Sequence, residues 1–336
     1  MSGGRAGEFT LIERYFAPLA THAGAAGLTD DAATLTPPEG CELVLTKDML
    51  ASGVHFFPED PPQSVARKAL GVNLSDLAAK GARPLGYLLG LGLPKDFEEA
   101  WVRDFCKGLE LSQRQYGWAL LGGDTIKSPD GILLSITAIG CTPTGRAVRR
   151  NTAPVGARLY VTGTIGDAAL GLMLRLAPEN AHKWGLTPTE EAFLLERYLH
   201  PKPRAQAAQT ILEYGAASMD VSDGLLADLA HMCHTSKVDA HVDLEKVPLS
   251  AGVHRACSAE RELLHQAVTG GDDYEILCAV PENACEVFEK GLKASGLPCS
   301  QIGYFSAPAN SGSGVPNLYL HGERVLGHSS KGFEHF

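Results

Sequence analysis

Apolar side chains recur at spacings of three and four along residues 64–79, which predicts an α-helix with a continuous buried stripe. The prolines at 61–62 favour a helix start there, and Gly81 predicts its end. Asp76 falls on this stripe, where an unpaired charge would cost several kcal/mol. Asp76 therefore either has a specific partner, or it points to solvent or pairs with Lys80 four residues later.

Short apolar runs separated by Gly- and Pro-containing turns predict the strands. In the first half these runs lie at residues 42–46, 85–93, 118–121 and 132–139, with helices over 11–19 and 97–116. In the second half we predict strands at residues 158–162 and 318–320, a buried strand after residue 273, and a helix over 168–176. Strand, acid-bearing turn, helix and strand in succession indicate an α/β (α+β) fold.

Length and composition indicate two folded domains. The chain has 336 residues, of which 44% are apolar and 20% charged, as in ordinary globular proteins. Residues 141–156 are rich in Pro, Gly, Thr and Arg, so we place the domain junction there. The predicted domains are residues 1–145 and 146–336.

Charge and cysteine content narrow the class of protein further. A net charge of −10 argues against non-specific nucleic-acid binding. No apolar run approaches the ~20 residues of a membrane span, and the Gly-rich N-terminus has no apolar signal core. None of the eight cysteines forms a C-x-x-C pair, which favours reduced thiols and a cytoplasmic location.

In the first half of the chain, the positions of the aspartates give the clearest indication of chemical function. Asp31 lies in a turn, Asp48 is expected at the end of the first strand, and Asp124 is expected in a Gly-Gly turn after the third. Asp is common in turns and at helix caps, so each one alone has a structural explanation. Together with Asp76 and without a neighbouring basic cluster, they favour divalent cations such as Mg²⁺ that bridge to phosphate.

The second half repeats this theme. Asp220 and Asp223 flank Val-Ser before an apolar helix, and capping explains at most one of them. Residues 270–273 form a Gly-Gly-Asp-Asp turn. Arg150 belongs to a compact basic patch at the domain junction. This patch either binds phosphate groups or is an ordinary solvent-exposed linker.

Known phosphate-binding motifs are absent from the sequence. There is no G-x-x-x-x-G-K-[ST], which excludes a P-loop, and neither H-R-D nor D-F-G occurs, which excludes the protein-kinase fold. The residues alone therefore predict an acid-rich, Mg²⁺-dependent site that handles phosphate groups.

Seven motifs occur in order along the chain. They are G-E-F (7–9), D-D-A-A (30–33), T-K-D-M-L-A-S-G-V-H-F (46–56), V-N-L-S-D-L-A-A-K-G-A-R-P (72–84), G-G-D-T (122–125), M-D-V-S-D-G-L (219–225) and G-G-D-D-Y-E (270–275). This set resembles thiamine-monophosphate kinase, a family of the ATP-binding superfamily that includes aminoimidazole ribonucleotide synthetase. The resemblance implies the two-domain fold of that superfamily, a homodimer formed through the first domain, and γ-phosphoryl transfer from ATP to thiamine monophosphate.

The resemblance also implies roles for individual residues. The Mg²⁺ ligands would be Asp31, Thr46, Asp48, Asp76, Asp124, Asp220 and Asp223. The contacts to ATP would be Gly123, Asp124, Arg150 and Ser222, and the contacts to thiamine monophosphate would be His55, Asp272 and Phe333.

Three positions depart from the family pattern. Lys47 stands where relatives have Thr or Ser, so a metal-ligating hydroxyl is missing. Asp272 replaces Glu and has a shorter reach, and Cys106 stands where relatives often have Tyr, so the adenine contact is not assigned.

Phosphoryl transfer to a phosphate needs no general base, because the acceptor is already an oxyanion. We therefore expect direct in-line transfer without a phosphoenzyme, with His55 as a binding residue or a packed structural histidine. The alternatives are another ATP-dependent activity of the same superfamily, and a non-catalytic protein that binds nucleotide or thiamine phosphate.

Overall fold

A computed structural model describes residues 7–309 and 314–325 of the chain. The chain divides into two compact units. The first comprises Met1–Leu77 and Ala82–Gly145, and the second comprises Ala78–Gly81 and Arg146–Phe336.

A four-stranded sheet forms the centre of the first unit, with strand order β1-β4-β2-β3. Its strands are β1 Cys41–Ala51, β2 Arg83–Leu93, β3 Ala119–Lys127 and β4 Leu133–Pro143. β4 runs antiparallel to both β1 and β2, and only the β2–β3 pair is parallel. The mixed sheet confirms the predicted α/β (α+β) class.

Two long helices accompany this sheet, α2 Pro62–Ala79 and α3 Glu99–Tyr116. Leu70, Leu74 and Leu77 of α2 are completely buried, and Gly81 follows the helix with φ of +70°, as the sequence predicts. The two helices pack so closely at Gly108 that a Cβ there would lie 2.5 Å from the carbonyl oxygen of Gln63. The N-terminal region is α1 Glu8–Leu11, which continues as a π-helical turn and short 3₁₀ turns rather than as one long helix.

Two local predictions for the first unit are wrong. Thr46, Lys47 and Asp48 lie in the middle of β1 and not at its end, because alternating side chains carry the strand on to Ala51. The Gly-Gly-Asp sequence at 122–124 is not a turn but part of β3, which remains paired with β2 as far as Lys127.

A seven-stranded sheet forms the second unit, with strand order β11-β10-β7-β9-β5-β8-β6. Its strands are β5 Arg158–Thr162, β6 Ala217–Asp220, β7 Asp239–Asp243, β8 Ile276–Val280, β9 Cys299–Ser306, β10 Pro316–Leu320 and β11 Glu323–Arg324. The strands predicted at 158–162, at 318–320 and after residue 273 are confirmed as β5, β10 and β8.

Helices α4 to α11 belong to this unit. They are α4 Asp167–Leu176, α5 Asn180–Lys183, α6 Pro188–Leu199, α7 Ala208–Tyr214, α8 Leu225–Ser236, α9 Ala251–Ala259, α10 Leu263–Thr269 and α11 Cys285–Ala294. In β5, Leu159 and Val161 join one hydrophobic cluster and Tyr160 joins another. Both faces of the sheet are therefore buried at this strand, which fixes the loops at its edges.

None of the helices in the described part of the chain combines the length and the apolar character that a membrane crossing requires.

Candidate functional site

In the first unit, strand alternation divides three consecutive residues of β1 between the two faces of the sheet. The Thr46 hydroxyl donates a hydrogen bond to the Asp76 carboxylate on α2, and the backbone N–H of Asp48 donates to Asn73 Oδ1 at 3.0 Å. Lys47 points to the opposite face, where its Nζ donates to Ser135 Oγ at 2.7 Å. The structure thus brings the predicted ligands Thr46 and Asp76 together.

Asn73 is a positioning residue that the sequence did not single out. Its side chain is completely buried, and its Nδ2 donates to the carbonyl oxygen of Ala69 at 3.0 Å while Oδ1 receives the N–H of Asp48. It therefore ties β1 to α2 beside the Thr46–Asp76 contact. A buried Asn at helical spacing from Asp76 could have suggested this role.

A cavity of about 670 Å³ opens on the first unit. Asp31, Gly123 and Asp124 line it together with Lys47 and Ser135. Its apolar wall includes Ile12, Phe16, Leu28, Leu88 and Leu121. Three of the predicted site residues therefore share one cavity large enough for a nucleotide.

Gly123 is required by the sheet itself. A Cβ at this position would lie 2.0 Å from the carbonyl oxygen of Leu89, the residue paired with it on β2. The glycine thus lets β3 approach β2 closely while leaving its backbone exposed to the cavity.

His55 follows β1 in a tight turn and does not line this cavity. Its Nδ1 accepts a hydrogen bond from the backbone N–H of Ala51 at 3.1 Å. Cys106, the position without an assigned adenine contact, is buried in α3, and burial raises the pKa of its thiol to about 12.

In the second unit, two loops are joined by backbone hydrogen bonds. The N–H of Asp272 donates to the carbonyl oxygen of Ser222 at 2.8 Å, and the N–H of Tyr274 donates to that of Val221 at 2.8 Å. Asp220 ends β6 directly before the first loop. The structure therefore brings the predicted residues Asp220, Ser222, Asp223 and Asp272 to one edge of the sheet.

Asp228 holds the first of these loops in place, and the sequence did not single it out. Its Oδ2 accepts the backbone N–H groups of both Ser222 and Asp223, each at 3.0 Å. Burial, and then the negative charge of Asp223, raise the pKa of Asp228 to about 7, and the positive charge of Arg150 opposes that shift. Arg150 is thus close enough to act on this cluster.

A buried ionic network holds the second loop. Arg197, only 2% exposed, donates through Nη2 to the carbonyl oxygen of Asp273 at 2.8 Å and to Glu275 Oε1 at 2.9 Å. Arg204 also binds the Glu275 carboxylate, and its Nε lies 2.6 Å from Oε2. Asp272 itself has φ of +71°, so the network holds a backbone conformation that is costly for a non-glycine residue.

The Asp273 carboxylate anchors the same loop to α4. It accepts the backbone N–H of Gly166 at 2.7 Å and that of Ala168 at 3.2 Å. Burial, and then the charge of Asp167, raise the pKa of Asp273 well above its ordinary value. Phe333, the last predicted substrate contact, lies outside the described residues.

Comparison with known proteins gives consistent matches over both units. The N-terminal domain family of AIR synthase related proteins matches residues 29–142, and the corresponding C-terminal domain family matches residues 154–315. The thiamine-monophosphate kinase of Caulobacter vibrioides is 39% identical over 316 residues, which cover 93% of this chain and 86% of that protein.

Solved structures agree. The crystal structure of thiamine-monophosphate kinase from Stenotrophomonas maltophilia superposes with a TM-score of 0.78 at 36% identity, covering 89% of this chain and 91% of the other. The structure of AaThiL complexed with AMPPCP and TMP gives a TM-score of 0.75 at 32% identity, covering 98% of this chain and 97% of the other.

Proposed function

Because the chain belongs to the thiamine-monophosphate kinase family and is therefore a kinase, we propose that it transfers the γ-phosphoryl group of ATP to thiamine monophosphate. The product is thiamine diphosphate. The complex of AaThiL with AMPPCP and TMP supports ATP as the donor and thiamine monophosphate as the acceptor.

The oxygen donors of the chain fit Mg²⁺. Within the described residues, the side-chain carboxylates of Asp31 and Asp124 make no hydrogen bond or ion pair, although both line the cavity. Mg²⁺ prefers carboxylates, waters and substrate phosphates. In the first unit we assign Mg²⁺ binding to Asp31 and Asp124 of the cavity, and to Thr46, Asp48 and Asp76 where β1 meets α2. In the second unit we assign it to Asp220 and Asp223.

Substrate oxygens would have to complete the coordination of any bound ion. Among the residues that the structure describes, no three His, Cys, Asp or Glu side chains form a ready metal site. When bound, Mg²⁺ supplies the charge neutralisation that lets two phosphate anions approach each other and align.

The remaining polar groups are assigned to the two substrates. ATP would be contacted by three of them. Gly123 offers an exposed backbone and Arg150 a guanidinium, and Ser222 lies in the loop that Asp228 holds in place. His55, Asp272 and Phe333 would contact thiamine monophosphate. His55 Nδ1 is an acceptor for the Ala51 N–H, so the Nε2 atom is the one that can donate to a phosphate.

The transfer itself is direct in this proposal. The acceptor phosphate is already an oxyanion and needs no base, so the chain has only to hold donor and acceptor in line and exclude water. None of the assigned aspartates acts as a nucleophile.

We also propose a homodimer formed through the first unit. Leu43, Leu45 and Met49 share one face of β1 with Lys47 and are between 37% and 61% exposed. An apolar sheet face of this kind is typical of protein–protein contacts. Sedimentation analysis of the wild type beside a Leu45→Glu variant tests this: the variant should be monomeric.

The activity is tested by incubating the purified protein with ATP, Mg²⁺ and thiamine monophosphate and separating the products by chromatography. We expect thiamine diphosphate and ADP in equal amounts. ATP consumption without thiamine diphosphate would favour another activity of the superfamily. Binding of both ligands without turnover would favour a non-catalytic binding protein.

A further inference from the structure

The cavity of the first unit contains unpaired charges of both signs. In the part of the chain that the structure describes, four acids line it, Glu8, Asp30, Asp31 and Asp124, and Lys47 is the one basic side chain in its lining. Within the described residues, Lys47 forms no ion pair, and neither does Asp31 or Asp124. The fold thus does not use these charges to neutralise one another.

Lys47 is held where it can reach a ligand. It lies in the middle of β1, paired with Thr137 of β4, so its backbone is fixed by the sheet. Its Nζ donates to Ser135 Oγ at 2.7 Å, and Ser135 also lines the cavity. An ammonium has three donors, so two remain available after this contact.

We propose that Lys47 binds phosphate oxygens of the substrates in this cavity and takes over part of the charge neutralisation that divalent cations otherwise provide. The inference rests on the proposed function, since it concerns the same site. The unpaired acids suit a cation and the unpaired ammonium suits an anion, and a metal–polyphosphate complex offers both. A lysine is a common point-charge partner of transferring phosphates in other kinases.

The test compares Lys47→Met and Lys47→Arg with the wild type, and uses Lys127→Met as the matched control. Lys127 is an exposed lysine at the end of β3 that does not line the cavity. Calorimetry measures the dissociation constants of ATP and of thiamine monophosphate, each with Mg²⁺ and with EDTA. Steady-state rates are measured over a series of free Mg²⁺ concentrations.

We expect Lys47→Met to weaken binding of at least one of the two ligands by roughly 10- to 100-fold, most strongly in EDTA. Half-maximal activity should need more Mg²⁺, and Lys47→Arg should stay within about fivefold of wild type because it keeps the charge. The ligand that weakens identifies which phosphate Lys47 contacts. Lys127→Met should change neither quantity.

Unchanged binding of both ligands in Lys47→Met, with an unchanged Mg²⁺ requirement, would show that Lys47 is only a surface cation. A Lys47→Met protein that fails to melt cooperatively is replaced by Lys47→Gln, for which the same two outcomes apply. If the wild type makes no thiamine diphosphate, the proposed function fails, and the ATP titrations still decide the role of Lys47.

Discussion

Asp76 is the single side chain whose substitution should best separate catalysis from folding. Asp76→Asn keeps an oxygen that can accept the Thr46 hydroxyl, but it removes the charge that a bridging cation needs. We expect kcat/KM to fall by at least ~100-fold. The melting temperature without ligands should hold, because the Asn side chain keeps an acceptor for the Thr46 hydroxyl.

The matched control for this substitution is Asp96→Asn, an exposed acid of the same unit that does not line the cavity. It should keep full activity. Near-normal turnover of Asp76→Asn would remove Asp76 from the set of metal ligands.

Asp228 should make the stability of the apo protein depend on pH. Its folded pKa of about 7 lies above its ordinary value of 3.8, so the folded state binds the proton more tightly. The contribution of Asp228 to stability is therefore greatest at low pH and is lost as pH rises from about 4 to about 7. Asp228→Asn keeps an acceptor for the N–H groups of Ser222 and Asp223 and removes this titration.

We expect Asp228→Asn to melt near the wild-type temperature at pH 4.5 and above it at pH 8, with both proteins measured without metal or nucleotide. Melting curves that shift in parallel at both pH values would contradict this account.

Asp31, Asp76 and Asp124 could be singled out from sequence by their settings in turns or on an apolar helical stripe, although Asp124 lies within β3 and not in a turn. Their role as metal ligands stays a prediction. Asn73 and Asp228 could not be singled out, because their roles depend on backbone N–H groups that only the fold brings to them. A helix-borne Asn or Asp looks the same in sequence whether it meets such a group or solvent.

Among the elements, the loop between α10 and β8 depends most on one buried residue. Arg197→Met removes the donor to the Asp273 carbonyl and to Glu275. The buried Glu275 carboxylate keeps its ion pair with Arg204, but the buried Asp167 carboxylate loses the guanidinium that faces it. We expect the free energy of unfolding to fall by about 3–5 kcal/mol. In protein that remains folded, KM for thiamine monophosphate should rise, because Asp272 belongs to this loop.

Arg158→Met is the control, since Arg158 pairs with Glu282 at the surface of the same unit. An exposed pair of this kind contributes roughly 0–1 kcal/mol. Equal losses of stability in the two variants would show that the buried network contributes no more to the free energy of unfolding than a surface ion pair.

The helices α2 and α3 could be predicted closely because their apolar residues repeat with helical spacing over 18 residues each. β1 and β3 were predicted too short. In β1 the polar residues Thr46, Lys47 and Asp48 interrupt the apolar run, although pairing with β4 continues through them. In β3 two glycines suggest a turn, whereas Gly123 is there because β2 lies too close for a Cβ.

For the chain as a whole, direct transfer predicts the stereochemistry of the reaction. One in-line displacement inverts the configuration at phosphorus, and a phosphoenzyme would invert it twice and so retain it. Chiral γ-thiophosphate ATP distinguishes the two, and we expect inversion. Net retention, or protein labelled by γ-labelled ATP alone, would contradict direct transfer and make one of the assigned side chains a nucleophile.

The alternation of β1 also limits how the gene can change length. Thr46 and Asp48 serve one face of the sheet and Lys47 the other, while β4 holds all three in register. Deleting one codon within β1 would exchange these faces over the rest of the strand, and deleting two would restore them. Under selection for growth that requires the activity of this protein, insertions and deletions in β1 should therefore survive only as even numbers of codons. The loop at residues 57–61 should accept both even and odd numbers of codons.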